Sequence, residues 1–287
     1  MNYNHSFHAG GFADVLKHYV LVLLIKSLLR KDNGFCYIDT HAGLGFYDLF
    51  SPSAKKNEEF KLGIGKLLGK NPPDSLKEYL NVVQRINSRL SQSQVASIHY
   101  YPGSPMIVRH FLRPQDRMIL AELHPTVFQK LKTLFAKDIN VSTHLMDGYL
   151  GLKAFLPPKE RRGLIFIDPP YERPNELATL PSILPIALKR FATGIYAIWY
   201  PIKDRATIDR FHRNLKENIQ NPMMAVELSI YPEDSPLHLN GSGMIIINPP
   251  FQLQKQLEES IPWAWKMLSI EKQGQFRVQM LTSEKIR

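Results

Sequence analysis

Cysteine is almost absent from this chain: Cys36 stands alone in 287 residues, so no internal disulfide can form and a reducing compartment is expected. Long apolar runs are missing too. The most apolar window, Leu21 to Leu29, is short and carries Lys26, so it reads as a buried helix face rather than a membrane span. Met1 to Gly11 has neither a basic start nor an apolar stretch, which argues against a signal peptide. These absences predict a soluble cytoplasmic protein with no membrane partner. Acid is also scarce: 26 Asp and Glu face 36 Lys and Arg, giving a net charge of +10. That excess says nothing about fold but favours a polyanionic partner, although a merely basic soluble enzyme would show the same balance. What the chain does have is apolar material, 44% of it, enough for a sizeable core and too much for wholesale disorder.

Strand-like runs recur at Phe35–Asp39, Met118–Leu123, Val141–Met146, Gly163–Asp168, Gly194–Tyr200, Met223–Tyr231 and Gly243–Asn248. Helical patterns separate most of them, as at Pro125–Lys137, Gly148–Leu156 and Asp204–Asn218, and Ala13–Arg30 forms a helix ahead of the first. Continuous apolar strands alternating with helices predict an α/β fold with a parallel sheet covered on both faces. A short loop, Tyr231–Gly243, joins the last two runs without room for a crossover helix, so those strands should pair antiparallel. The expectation is a seven-stranded doubly wound sheet with an antiparallel end, in one domain spanning residues 1–287. About eighty residues separate the first two strands, far more than one crossover needs. Within them Leu76, Tyr79, Leu80, Val83 and Ile86 share one face of a helix over Ser75–Leu90. Residues 46–97 are therefore expected to form a helical insertion subdomain.

In such sheets ligands sit at the carboxyl ends of the strands. The first strand ends in Asp39-Thr40-His41-Ala42-Gly43-Leu44-Gly45, where small residues let a ligand approach the backbone; a plain tight turn would use the same residues. The second ends in Glu122, placed to accept the hydroxyls of a ribose. The third ends in Asp147-Gly148, where the acid could reach an adenine amine or simply cap the next helix. Together the three outline an adenosine pocket. The fourth strand ends in Asp168-Pro169-Pro170-Tyr171. Two prolines make a rigid turn without backbone N–H groups, leaving the Asp168 carboxylate and the Pro169 carbonyl as acceptors for one amino group. An aromatic amine is a poor nucleophile because its lone pair is delocalised, and two acceptors on its N–H bonds free that pair. Pro169, Pro170 and Tyr171 would form the base site, with Tyr171 offering a face to a flipped-out base. A rigid turn alone is the competing reading.

The Asp168–Tyr171 motif is that of class I amino-methyltransferases acting on adenine N6. More narrowly, His5-Ser6-Phe7-His8-Ala9-Gly10, Ala13-Asp14-Val15-Leu16-Lys17-His18, Asp39-Thr40-His41-Ala42-Gly43, Tyr101-Pro102-Gly103-Ser104-Pro105, Arg190–Tyr196 and Trp199-Tyr200-Pro201 resemble the bacterial 23S ribosomal RNA adenine-N6 methyltransferases of the RlmJ type, over nearly the whole chain. The resemblance implies a Rossmann-like class I fold, S-adenosylmethionine as cofactor, 23S rRNA as partner, and Asp168 as the catalytic acceptor. It implies cofactor contacts from His18, His41, Gly43, Ser104, Glu122, Asp147 and Gly148, and a place near the RNA for Tyr3 and Lys17. A monomer is expected. The Lys-rich stretch Lys55–Lys70 is where the chain is least like the family pattern.

Several features compete for attention. Asn248-Pro249-Pro250-Phe251 mimics the catalytic motif but follows the wrong strand, and is read as structural. His5, His8, His18 and His41 suggest a metal, yet amino methylation needs no Lewis acid, so no metal is expected. Cys36 lies inside a strand and is read as inert, which excludes thiolate attack on a pyrimidine ring. Of the basic clusters, Arg205, Arg210 and Arg213 could form a phosphate-binding face. The rival functions are a DNA adenine-N6 methyltransferase, which shares the Asp-Pro-Pro-Tyr motif, and a non-catalytic RNA-binding protein on the same scaffold.

Overall fold

The computed structural model describes residues 4–91, 98–172, 176–233, 235–236 and 239–282. A 3-10 turn at His5–Phe7 leads into α1 (Phe12–Leu29). This helix is apolar nearly all round and is buried on almost every side, as an all-round apolar helix must be. Strand β1 (Cys36–Asp39) follows, then β2 (Phe46–Asp48) and four helices, α2 (Pro52–Asn57), α3 (Glu59–Leu62), α4 (Ile64–Leu67) and α5 (Asp74–Ser91). Next come β3 (Tyr100–Pro102), α6 (Ser104–Phe111), β4 (Arg117–Glu122), α7 (Pro125–Leu134), β5 (Val141–Leu145), α8 (Gly148–Ala154) and β6 (Gly163–Ile167). The chain ends through α9 (Glu176–Arg190), β7 (Ile195–Ile202), α10 (Arg205–Asn218), β8 (Met223–Ser229), β9 (Gly241–Ile247), α11 (Leu253–Leu268) and β10 (Phe276–Thr282).

The main sheet has eight strands in the order β10-β8-β9-β7-β6-β1-β4-β5. β1 pairs in parallel with both β4 and β6, so the chain leaves the first strand in one direction and returns to its other side. The crevice outside the carboxyl ends of these strands is the switch point where α/β sheets bind ligands. β9 runs antiparallel between β7 and β8, as its short connection requires. Side chains alternate between two cores: Leu164 and Phe166 join the one that buries α1 and α11, while Ile165 and Ile167 join the one under α8, α9 and α10. Burial on both faces is why these strands read as unbroken apolar runs.

Two strand features correct the sequence reading. The sheet has eight strands rather than seven, because β10 adds antiparallel to the β8 edge. Its Phe-Arg-Val-Gln-Met alternation is the pattern of a half-exposed edge strand, not of a buried parallel one. A separate two-stranded ladder, β2 with β3, also appears between β1 and β4. In that region the anticipated face of α5 (Leu76, Tyr79, Leu80, Val83, Ile86) is buried, and with Ile64 and Leu67 it joins the core around α1. Among the described residues, no helix is long and apolar enough to cross a membrane.

Candidate active site

A cavity of about 930 Å³ opens at the carboxyl ends of β1, β4 and β6. Its walls bring together Asp168, Pro169, Pro170, Lys17, His18, His41, Gly43, Ser104, Glu122, Asp147 and Gly148, residues drawn from six stretches of the chain. Tyr171 is not in the wall, and Tyr3 lies outside the described residues.

One half of the cavity suits a nucleoside. Glu122 ends β4 with both oxygens anchored, Oε2 accepting from the Gly43 N–H at 3.0 Å and Oε1 from the His124 N–H at 2.8 Å. Each oxygen keeps a further lone pair for a ligand hydroxyl. Gly43 adopts φ +64°, and a Cβ there would stand 2.6 Å from Tyr47 Oη, so any side chain would be strained and would displace the tyrosine. Gly148 is pressed on the Thr40 carbonyl, where a Cβ would come within 2.1 Å, drawing α8 onto the loop after β1. Asp147 caps α8 by accepting from the Tyr149 N–H at 2.8 Å while also lining the cavity. Beneath the floor, Asp39 accepts from Ser104 Oγ and Tyr37 Oη, each at 2.7 Å, and from the His41 N–H at 3.1 Å. Burial outweighs these bonds and pushes its carboxyl up to about 6. His18 Nδ1 is hydrogen-bonded to Tyr101 Oη at 2.8 Å, and Tyr79 Oη lies 3.0 Å beyond. Burial lowers the His18 imidazole to about 3, so it faces a ligand neutral.

The other half is charged. Lys17 Nζ donates to Asp168 Oδ2 at 2.6 Å and lies 2.8 Å from Asp14 Oδ1. It also stands 5.5 Å from the Trp199 ring centroid. Lys17 is 3% exposed, so the structure sets it against the motif carboxylate rather than on an outer surface. Asp14 in turn takes His5 Nε2 at 2.9 Å and the Gly10 N–H at 3.0 Å. Burial disfavours its charge, yet His5 and Lys17 hold the carboxyl well below the usual range. Sequence reasoning assigned no role to Asp14 or Trp199. The three-residue spacing of Asp14 and Lys17 on one helix was the available signal for the first; the second stood in the Trp199-Tyr200-Pro201 motif without a role, and β7 brings it alongside β6. Tyr171 adopts φ +52°, donates its hydroxyl to the Trp199 carbonyl and tilts its ring against Trp199 at 5.5 Å.

Asn248 ends the antiparallel β9, so it lies at the edge opposite Asp168, where its Nδ2 ties the Ala192 and Gly194 carbonyls at 2.8 and 2.7 Å. Cys36 is buried and its thiol is pushed up to about 12. Arg109, Arg113, Arg117 and Arg205 are held in ion pairs with Asp138, Asp116, Glu160 and Glu227. Among the described residues, no group of three His, Cys, Asp or Glu is disposed to hold a metal.

The family described as "Ribosomal RNA large subunit methyltransferase D, RlmJ" matches residues 32–282. The chain belongs to this family. Two RlmJ relatives, each described as ribosomal RNA large subunit methyltransferase J, align along nearly all of it. That of Haemophilus influenzae is 40% identical over 285 residues, 99% of this chain and 100% of that protein. That of Escherichia coli is 43% identical over 264 residues, 92% of each. A crystal structure of a Legionella pneumophila protein overlays with a TM-score of 0.85 at 35% identity, covering 97% of this chain and 99% of that one. This chain and the Legionella protein thus share one α/β fold, here with an eight-stranded, mostly parallel main sheet and an antiparallel end.

Proposed function

We propose that this chain is an S-adenosylmethionine-dependent methyltransferase acting on N6 of one adenine in 23S rRNA. The observation that carries the proposal is the placement of the Asp168-Pro169-Pro170 turn in the wall of the same cavity as the anchored Glu122 carboxylate. An amine acceptor site and a nucleoside site then share one chamber, and the family membership supplies the reaction class. The chamber's size suits such a pair of ligands, since small-molecule sites run from roughly 300 to 1,000 Å³.

The donor residues fit the cofactor. Glu122 would hold the ribose hydroxyls, Asp147 and Gly148 the adenine end, and His18, His41, Gly43 and Ser104 the remainder of the molecule. When bound, S-adenosylmethionine supplies a methyl group on a positively charged sulfur. On the substrate side, Asp168 Oδ2 is engaged by Lys17, which leaves Oδ1 to accept one N–H of the target amine. The Pro169 carbonyl accepts the other, and neither Pro169 nor Pro170 carries a backbone N–H that would stand against the amine's hydrogens. Lys17, itself fixed by Asp14, holds the Asp168 carboxylate in one orientation, so the acceptors need no reorganisation as charge develops. Asp168 need not be a strong base, since the amine proton becomes acidic only once the N–C bond forms. The positioning roles of Pro170 and Tyr171 at the base, of Tyr3 and Lys17 near the RNA, and of residues 46–97 as an inserted subdomain belong to the same proposal, as do a monomeric state and a cytoplasmic site of action.

Tritium transfer from labelled S-adenosylmethionine to unmodified 23S rRNA, with 16S rRNA and duplex DNA alongside, tests the reading. N6-methyladenosine on 23S rRNA alone is the expected product. Label on DNA would replace the substrate, and no label on any polymer would remove the catalytic reading.

A further inference from the structure

The cavity has one rim that the catalytic reading does not use. The β2–β3 ladder brings Phe46 against Tyr100, and just past it the Leu49 N–H bonds the His99 carbonyl at 2.9 Å. At this point the chain divides its apolar residues: Leu49 enters the core, whereas Phe50 turns outward and is 43% exposed. A row of rings results. Phe46 meets Tyr100 edge-on, Tyr100 lies 4.5 Å from His99, and His99 stacks on Phe50 at 4.6 Å and 23°. The next residues, Ser51 and Ser53, line the cavity, so the row ends at its mouth.

Cations border the same place. Lys55 Nζ lies 5.5 Å from the Phe50 ring centroid, and Lys56 Nζ lies 5.8 Å from that of Phe7, whose neighbours Asn4, His5 and Ser6 line the same cavity. Of the nearby carboxylates, Glu58 pairs with Lys61 at 2.7 Å and Glu59 with His8 at 2.8 Å, while Asp48 Oδ1 accepts from the Phe50 N–H at 2.8 Å and lies 3.4 Å from His99 Nε2. Among the described residues, neither Lys55 nor Lys56 forms an ion pair, in contrast to Arg109, Arg113, Arg117 and Arg205. Exposed rings set between uncommitted lysines match an RNA strand whose bases are unstacked.

We propose that Phe50, His99, Lys55 and Lys56 form the docking surface for the unpaired RNA strand that flanks the target base. A flanking base stacks on the Phe50–His99 pair, and the two lysines meet adjacent phosphates. The inference rests on the RNA reading of the cavity, but its test does not require methyl transfer.

The full chain is titrated with a fluorescent single-stranded oligoribonucleotide at several salt concentrations, alongside cofactor calorimetry as a check on folding. Phe50→Ala should weaken RNA binding about tenfold, from the loss of one stacked base, and leave cofactor affinity unchanged. Phe50→Trp should restore binding. Phe251→Ala, which removes an 82% exposed ring beyond β9, should change nothing. The Lys55→Ala/Lys56→Ala pair should reduce the slope of log affinity against log salt by about 1.4. Wild-type binding in Phe50→Ala together with an unaltered slope in the lysine pair would overturn the proposal. A wild-type chain that binds the oligonucleotide through this rim yet labels no RNA would overturn the methylation reading instead.

Discussion

Asp168 and Lys17 illustrate how one residue's role is defined by another 151 positions away. Replacing Asp168 with Ala removes the proposed amine acceptor but leaves Lys17 paired with Asp14. Asp168→Ala should therefore bind cofactor normally by calorimetry and lose methyl transfer by at least about 10³-fold. Lys17→Met should lower kcat about 10²-fold with little change in cofactor affinity, because the carboxylate is present but no longer oriented. A Lys17→Met enzyme with unchanged kcat would remove the orienting role. His18 carries a pH dependence of known sign. Its folded value is depressed by burial to about 3, against 6.5 when unfolded. The unfolded chain therefore takes up the proton first, and the stability associated with neutral His18 is complete above about pH 6.5 and is lost as pH falls toward 3. His18→Gln should flatten the decline of melting temperature with acid across that window, as followed by circular dichroism.

At the scale of elements, the antiparallel end depends on one buried carboxylate. Glu227 of β8 is 1% exposed and receives Arg205 of α10 at 2.7 Å, Arg277 of β10 at 3.1 Å and Tyr200 of β7 at 2.7 Å. Burial opposes its charge, but the guanidinium of Arg205 and the Tyr200 hydroxyl hold its carboxyl below the usual range. The edge strand β10 is thus pinned by charge as well as by its ladder. Glu227→Ala leaves two guanidinium groups facing a buried gap and should cost about 3 kcal/mol in guanidinium chloride unfolding. Cofactor affinity should not change, since β9, β7 and β6 separate β8 from β1. Equal stability to wild type would show that Glu233, 3.2 Å from Arg277, takes over the role. The two Pro-Pro turns separate at this scale as well. Asp168 follows a strand running toward the cavity, Asn248 one running away from it, and strand direction alone gives them opposite edges of the sheet.

For the molecule as a whole, the charge of +10 is partly spent internally, because several arginines are engaged by carboxylates while lysines at the cavity rim are not. Raising monovalent salt from about 50 to about 200 mM should weaken RNA binding by at least about tenfold through lost counterion release, and cofactor binding much less. Parallel filter-binding and calorimetric titrations would check this; equal sensitivity would argue that the net charge has no part in docking.

Local pattern carried most of the architecture. The buried strands, the helix over residues 75–90 and the antiparallel return after Tyr231 follow from apolar periodicity and loop length, which are properties of neighbouring residues. So did the strand-end positions of Gly43, Glu122, Asp147 and Asp168, because carboxyl ends of parallel strands converge wherever such a sheet forms. Tertiary structure alone decided the rest. The Lys17–Asp168 pair, the Tyr171 hydroxyl on Trp199 and the Phe50–His99 stack join residues from different elements, and no spacing along one segment encodes them. β10 escaped notice for a related reason: an edge strand buries one face only, and its partner β8 lies more than forty residues earlier. Sequence by itself determined which residues would reach the crevice, through hydrophobic burial and strand direction; packing across the chain determined which of them touch, and therefore what each can do.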